Sequence, residues 1–310
     1  MPPDLAEAMK AIHTSVAQAP PFHDSDDKVI ALGNGVIMLD GASAFVPGPV
    51  PPGVYADALG TGLRRHLDND PAADLTGVLA DTIHDVAVHL DLRPGHSPSS
   101  TVTILRAHDG WTDILMLGDN LAVLPGLTIT DPRLSRLDLE PSCLYRHRLA
   151  QGTGFDQTHR AFLHELQTQQ AARRNRPGGY WIAEADPTAT QHAIVHRIRA
   201  DDVPRAVLAT DGAYKPMRHL GITDWPTISS ASAADLDGIL KQCHAVGSRR
   251  GFSQLVSQIA SLVFCWWTRP MNIRPGTLPR MTRRSLRAKC GARPHGGRRD
   301  RSACIARGRT

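Results

Sequence analysis

The stretch Val36-Ile-Met-Leu-Asp40-Gly41 sets the reading of this chain: an apolar run that ends on an aspartate beside a glycine. The same form returns as Ile114-Leu-Met-Leu-Gly118-Asp119 and as Arg205-Ala-Val-Leu-Ala-Thr210-Asp211-Gly212. Apolar runs of this length read as buried strands, and Asp-Gly or Gly-Asp at the end is turn chemistry. Three carboxylates delivered at strand ends can converge on one cluster. An oxygen-only cluster suits hard cations such as Mg²⁺ or Mn²⁺.

Working outward, Lys28–Leu32 and Gly35–Leu39 are apolar runs separated by Gly33-Asn34, a dipeptide that favours a hairpin. Val46-Pro-Gly-Pro-Val-Pro-Pro-Gly53 is too rich in proline for regular structure. From Tyr55 to Leu92 the spacing turns helical (Leu59, Leu63, Leu67, then Leu75, Leu79, Ile83), with Asp74 as the cap of a second helix. Ser100–Leu105 and Trp111–Leu117 flank an Asp109-Gly110 turn, and Leu121–Leu124 follows. Phe155–Arg173 and Ala234–Gln242 read as helices. Tyr180–Ala183, His192–Ile198 and Ala206–Ala209 read as strands. Strands paired by tight turns and helices in blocks give an α+β class with antiparallel sheets.

The chain has 310 residues, 41% hydrophobic and 21% charged, enough for a sizeable core. Its net charge of +5 hides two unlike parts. From Thr268 onward there are 13 Lys/Arg and one acid, Asp300, whereas the remainder carries 22 basic and 29 acidic residues. Five cysteines without a CxxC pair exclude a zinc finger or disulfide framework and point to a reduced, cytoplasmic setting. The first residues lack a secretory layout, and no apolar stretch is long enough to span a bilayer. Glycine spacing supports neither a P-loop nor dinucleotide binding.

Asp24-Ser25-Asp26-Asp27 adds a fourth acidic group just before a strand. In order, Asp26-Asp27, then Leu39-Asp40-Gly41, then Ser99-Ser-Thr-Val-Thr103, then Gly118-Asp119-Asn120, then Thr210-Asp211-Gly212 resemble the metal-dependent serine/threonine protein phosphatases of type 2C, or PPM type. Gly179-Tyr-Trp-Ile-Ala-Glu-Ala-Asp-Pro187 is similar to a segment of actinobacterial members. The resemblance implies an αββα sandwich, two antiparallel sheets with helices outside, and a site for two Mn²⁺ or Mg²⁺ ions. By position, Asp40 would bridge the metals and the Gly41 carbonyl would bind one. Asp27 would be a ligand directly or through water, and Asp211 a ligand from the other sheet. Asp26 would stand in the outer shell, and Asp119 would support the site or help hold a third, weaker metal. A water activated between the metals would attack phosphorus in line, so no protein nucleophile is implied. The implied substrate is a phosphoserine or phosphothreonine protein in bacterial signalling.

The chain departs from that pattern in three places. No arginine precedes the acidic pair, where Pro20-Pro21-Phe22-His23 stands, and Ala42-Ser43-Ala44 replaces the histidine-bearing stretch that often follows Asp-Gly. The closing Asp-Asp-x-Thr is missing. Residues 1–22 therefore read as a lead-in, 23–242 as the phosphatase-like domain, and 243–310 as a basic tail. That tail reads as a product of a shifted reading frame, entered between about Lys241 and Met281 and near Cys243. Methionine is always ATG and threonine begins AC, so the frame opening on the last base of Met281 must encode aspartate. Permitted codons there spell the missing motif. A chain with such a tail would be weakly active or inactive. The rival readings are a non-catalytic phosphatase-like regulator and, through the tail alone, a binder of nucleic acid or another polyanion.

Overall fold

Apolar alternation and tight turns build ten strands and seven helices among the described residues. The computed structural model describes residues 12–19, 25–42, 48–151, 156–249 and 260–267, all within the unit Met1–Pro270; a second unit, Met271–Thr310, lies outside the described residues. The strands are β1 (Ile12–Ala19), β2 (Lys28–Ala31), β3 (Gly35–Gly41), β4 (Ser100–His108), β5 (Trp111–Leu117), β6 (Leu121–Leu124), β7 (Leu127–Thr130), β8 (Ile194–Arg199), β9 (Arg205–Ala209) and β10 (Ala260–Trp267). The helices are α1 (Pro52–Asn69), α2 (Leu75–His89), α3 (Glu140–Ala150), α4 (Gln157–Ala171), α5 (Asp211–His219), α6 (Trp225–Ile228) and α7 (Ala233–Arg249).

Five strands form one sheet in the order β1-β10-β9-β6-β7, and five form the other in the order β2-β3-β4-β5-β8. Every pairing is antiparallel. Strand alternation then sorts the side chains into three apolar layers. Val36, Met38, Leu105, Ile114 and Met116 of one sheet meet Ala122, Leu124, Ile129 and Leu208 of the other. Ile37, Leu39, Val102, Ile104 and Leu115 point the opposite way, onto Leu59, Leu63, Leu79 and Ile83 of α1 and α2. Val207 and Ala209 face Met217, Leu236, Leu240 and Cys243 of α5 and α7. Helix, sheet, sheet, helix is thus the observed layering, the expected αββα sandwich. No helix among the described residues is long and apolar enough to cross a membrane.

Local chemistry explains the joints. Asp109 and Gly110, with φ of 48° and 76°, turn β4 into β5. Asp74 accepts from the Gly77 amide at 2.7 Å and caps α2, as its position in sequence predicts. Ser232 and Asp235 cap α7 reciprocally through their side chains and amides.

Several boundaries differ from the sequence reading. Residues 12–19, placed in the lead-in, form β1 and pair along their length with β10, which had been placed in the tail. α7 runs through residue 243, and Cys243 is buried in the core beneath β9. Tyr180–Ala183 makes only isolated bridges, Arg174 with Tyr180 and Ser100 with Ala183. β7 and α3 were not anticipated, since four residues and a helix of weak apolar periodicity leave little signal. His23, Ser43, Ala44 and the Met281 region lie outside the described residues.

A charged ladder crosses β4, β5 and β8. Arg106, 1% exposed, donates to Asp113 Oδ2 at 3.1 Å; Arg197 donates to Asp113 Oδ1 at 2.6 Å; His108 Nε2 lies 2.7 Å from Oδ2. Desolvation works against the Asp113 charge, but Arg197, His108 and Arg106 outweigh it and hold its carboxyl well below the ordinary 3.8. The depressed pKa adds stability above 3.8 that is lost as pH falls below it. Asp113→Ala strands a buried guanidinium and is expected to cost about 3–5 kcal/mol in urea unfolding at neutral pH. A loss within experimental error of zero would show that Arg106 finds another partner.

Candidate metal centre

Strand register brings the motif aspartates to one end of both sheets. Asp40 at the end of β3 lies opposite Thr101 at the start of β4, and Lys28, next to Asp27, lies opposite Leu39. Leu117 at the end of β5 pairs with Val102, so Asp119 emerges at this same end. In the other sheet, Leu121 at the start of β6 pairs with Ala209 at the end of β9, one residue before Thr210 and Asp211. Four chain segments therefore deliver carboxylates to one edge, although Asp27 and Asp211 are far apart in sequence.

Close approach at that edge requires particular residues. A Cβ on Gly41 would sit 2.8 Å from the Asp26 carbonyl oxygen, so only glycine lets the acidic loop pass over the strand end. Gly118 has φ of +102° and would put a Cβ 2.7 Å from Thr101 Cγ2. The next residue but one ties the two sheets together: Thr101 Oγ1 donates to Asn120 Oδ1 at 2.9 Å, and Asn120 Nδ2 donates to Thr103 Oγ1 at 3.1 Å. The threonine-rich start of β4 thus fixes the loop that carries Asp119.

The acidic loop is held from both sides. Gln18 of β1 donates its side-chain amide to Ser25 Oγ at 2.9 Å and to the Asp27 carbonyl at 2.8 Å. The Asp27 amide donates to Ser25 Oγ, and Lys28 Nζ donates to the Ser25 carbonyl. Asp26 turns away and accepts from the Gly53 amide at 3.0 Å, at the N-terminus of α1, where Pro51 supplies no side-chain cap. Its side chain thereby caps α1. Near the start of β4, buried Glu184 accepts from the Gly95 amide and Ser97 Oγ, which pins the 93–97 loop. The Gly179–Pro187 segment thereby supports the strand entry.

The cluster is electrostatically uncomfortable. Asp40 is only partly exposed; desolvation, then the negative charges of Asp27, Asp211 and Asp119, push its pKa well above the ordinary 3.8, and it shares a hydrogen bond with Asp27. Desolvation and the Asp211 charge also raise Asp119, against the pull of Lys215. For Asp211 desolvation opposes the charge, but Lys215 and a hydrogen bond with Asp40 overcome it and lower the pKa. Lys215 Nζ stands 2.9 Å from Asp119 Oδ2 and 2.7 Å from Asp211 Oδ2. Desolvation disfavours its charge, yet the two carboxylates raise its pKa above the ordinary 10.5.

Lys215 thus stands between two of the four carboxylates, while Asp40 meets the negative charges of Asp27, Asp119 and Asp211. Among the described residues no three His, Cys, Asp or Glu side chains are already drawn into a metal cage. The donor set is nonetheless all oxygen, acidic and confined to one edge, which suits Mg²⁺ or Mn²⁺. Asp27, Asp40 and Asp211 are linked through Asp40, whereas Asp119 is linked to the others through Lys215 and the repulsion of like charge.

No family model and no curated protein matches this chain. The chain is similar to solved serine/threonine phosphatases. The Mycobacterium tuberculosis phosphatase PstP/Ppp is 14% identical over 83% of this chain and 99% of its own, with a TM-score of 0.49. The PstP catalytic domain in complex with two manganese ions gives 14%, 83%, 99% and 0.47 in the same terms. Stp1 from Staphylococcus aureus is 11% identical over 84% of this chain and 96% of its own, at 0.49.

Sequence reasoning named each carboxylate but missed Gln18, the bridging role of Asn120, and Lys215. The signal for Lys215 was available, since it stands four residues after Asp211 in a helix that starts there.

A carboxyl whose folded pKa is raised adds stability below its unfolded value and loses it as pH rises through the raised one. Asp40→Asn is therefore expected to raise the metal-free melting temperature at pH 7.5. The gain should shrink as pH falls toward 4, where the Asp40 carboxyl is itself protonated. A lower melting temperature than the parent at pH 7.5 would contradict the repulsion described.

Proposed function

We propose that this chain is built as a metal-dependent phosphoprotein phosphatase acting on phosphoserine or phosphothreonine. One observation carries the reading: Asp27, Asp40, Asp119 and Asp211 converge from four segments and two sheets on one edge, where burial and then the other three charges raise the Asp40 pKa. The ordered motifs and the phosphatase-like neighbours, one of them described with two manganese ions, support the same reading.

In this reading Asp27, Asp40 and Asp211 hold two Mn²⁺ or Mg²⁺ ions, with the Gly41 carbonyl as a further oxygen ligand. Bound there, such ions supply an acidified water and neutralise phosphoryl oxygens. The chain's own residues do the rest. Asp40, hydrogen-bonded to Asp27 and to Asp211, stands at the centre of the three carboxylates that would hold the ions. Asp26 holds α1 against the loop through the Gly53 amide, and Gln18 fixes the Asp27 backbone. Asn120 keeps the two halves of the edge in register. The partner is a phosphorylated protein, and the reading places the chain in the cytoplasm. Polyanion binding through the basic residues from Thr268 onward would be a separate activity and is not needed for this one.

The absent closing Asp-Asp-x-Thr removes a carboxylate that the resemblance assigns to the site. Turnover by the 310-residue chain is therefore expected to be weak. With a phosphothreonine peptide, phosphate release should require Mn²⁺ or Mg²⁺, resist thiol reagents, and fall at least about 100-fold in Asp40→Asn, as expected when a group central to two-metal chemistry is lost. Metal-independent release, or release untouched by Asp40→Asn, would overturn the proposal. Complete inactivity with every divalent ion would favour the regulatory reading.

A further inference from the structure

We propose that Lys215 is a built-in cation of the acidic edge, occupying with its ammonium the place between Asp119 and Asp211 that a further divalent ion would otherwise take. The inference rests on the metal-site reading above and refines it, because it removes Asp119 from the set of metal ligands.

The geometry is specific. One ammonium lies 2.9 Å from Asp119 Oδ2 and 2.7 Å from Asp211 Oδ2, so it joins a loop between the sheets to the first turn of α5. A lysine ammonium carries three donors and no acceptor, and two of the three are committed here. A divalent ion at the same two oxygens would meet a positive charge within hydrogen-bonding distance and would lack those lone pairs. Both cannot be held at once.

The lysine is also fixed in position. Tyr214 and Met217, on either side of it in α5, are buried in the core beneath β9, while Lys215 faces the acidic edge. Asp119 is 8% exposed and anchored through the Asn120 bridge next to it. A long, flexible side chain thus works between two rigid attachment points. The hydrogen bonds of Lys215 go to Asp119 and Asp211, whereas Asp40 shares its hydrogen bonds with Asp27 and Asp211. The arrangement divides the edge into a half neutralised by the chain itself and a half left for divalent ions. Lys215 is in these terms a positioning residue that sets how many ions bind and where.

The test is Mn²⁺ binding to the full chain, counted by equilibrium dialysis and followed by melting temperature. Lys215→Met keeps the apolar stem and deletes the charge, and should bind one more Mn²⁺ per chain than the parent. Its metal-free melting temperature should fall below the parent's and recover with Mn²⁺. Lys215→Arg, which restores the charge, should return the parental number. Asp119→Asn, which deletes only the partner of the lysine, should leave the number of bound ions unchanged. If the parent binds Mn²⁺ and Lys215→Met binds the same number with the same affinity, the Lys215 proposal is wrong and the metal site stands. If the parent binds none and Lys215→Met binds Mn²⁺, the lysine proposal stands and the metal reading of the parent fails. Absence of binding in both, or loss of an ion in Asp119→Asn, overturns the Lys215 proposal.

Discussion

Repulsion among Asp27, Asp40, Asp119 and Asp211 is the interaction on which the rest of this structure turns. Like charges at close range disfavour one another strongly when they are withdrawn from water. The chain gathers four of them at the shared edge of two sheets, sets the Lys215 ammonium between Asp119 and Asp211, and leaves Asp40 in the middle with a strongly raised pKa. Such a cluster does not arise to hold a fold together. It persists because the layers around it are stable enough to carry the strain.

Those layers do so by rigidity. The apolar contacts between the sheets fix their relative register, and the helix layers on either side fix each sheet in turn. At the edge itself, Gly41 and Gly118 permit contacts that any side chain would block, while Asn120 and Gln18 supply the directional bonds. The same devices that concentrate negative charge keep it from relaxing apart. The charge is therefore held together at a cost in stability.

Much of this was legible in the sequence because the decisive elements are local. Apolar runs ending in Asp-Gly, the Gly33-Asn34 and Asp109-Gly110 turns and the Asp74 cap each announce themselves within a few residues. The four carboxylates were visible for the same reason. What escaped was long-range pairing. Ile12–Ala19 is recognisable as a strand only through its partner Ala260–Trp267, nearly the whole chain away, and both had been assigned to flanking segments. Gln18 was lost with its strand. Asn120 looked like turn chemistry, because nothing nearby in sequence says that Thr101 and Thr103 will face it. The spacing of Lys215 from Asp211 is local, but an i,i+4 pair of this kind is common on any exposed helix face and does not by itself mark a site.

The central claim is that divalent ions, rather than protons, are what this edge is shaped to receive. Crystals of the full chain grown with Mn²⁺ and measured at the manganese absorption edge test it most directly. The account predicts two anomalous peaks in contact with Asp40, one shared with Asp27 and one with Asp211, and no peak between Asp119 and Lys215. An edge without anomalous density at saturating Mn²⁺, its carboxylates still hydrogen-bonded to one another, would contradict it.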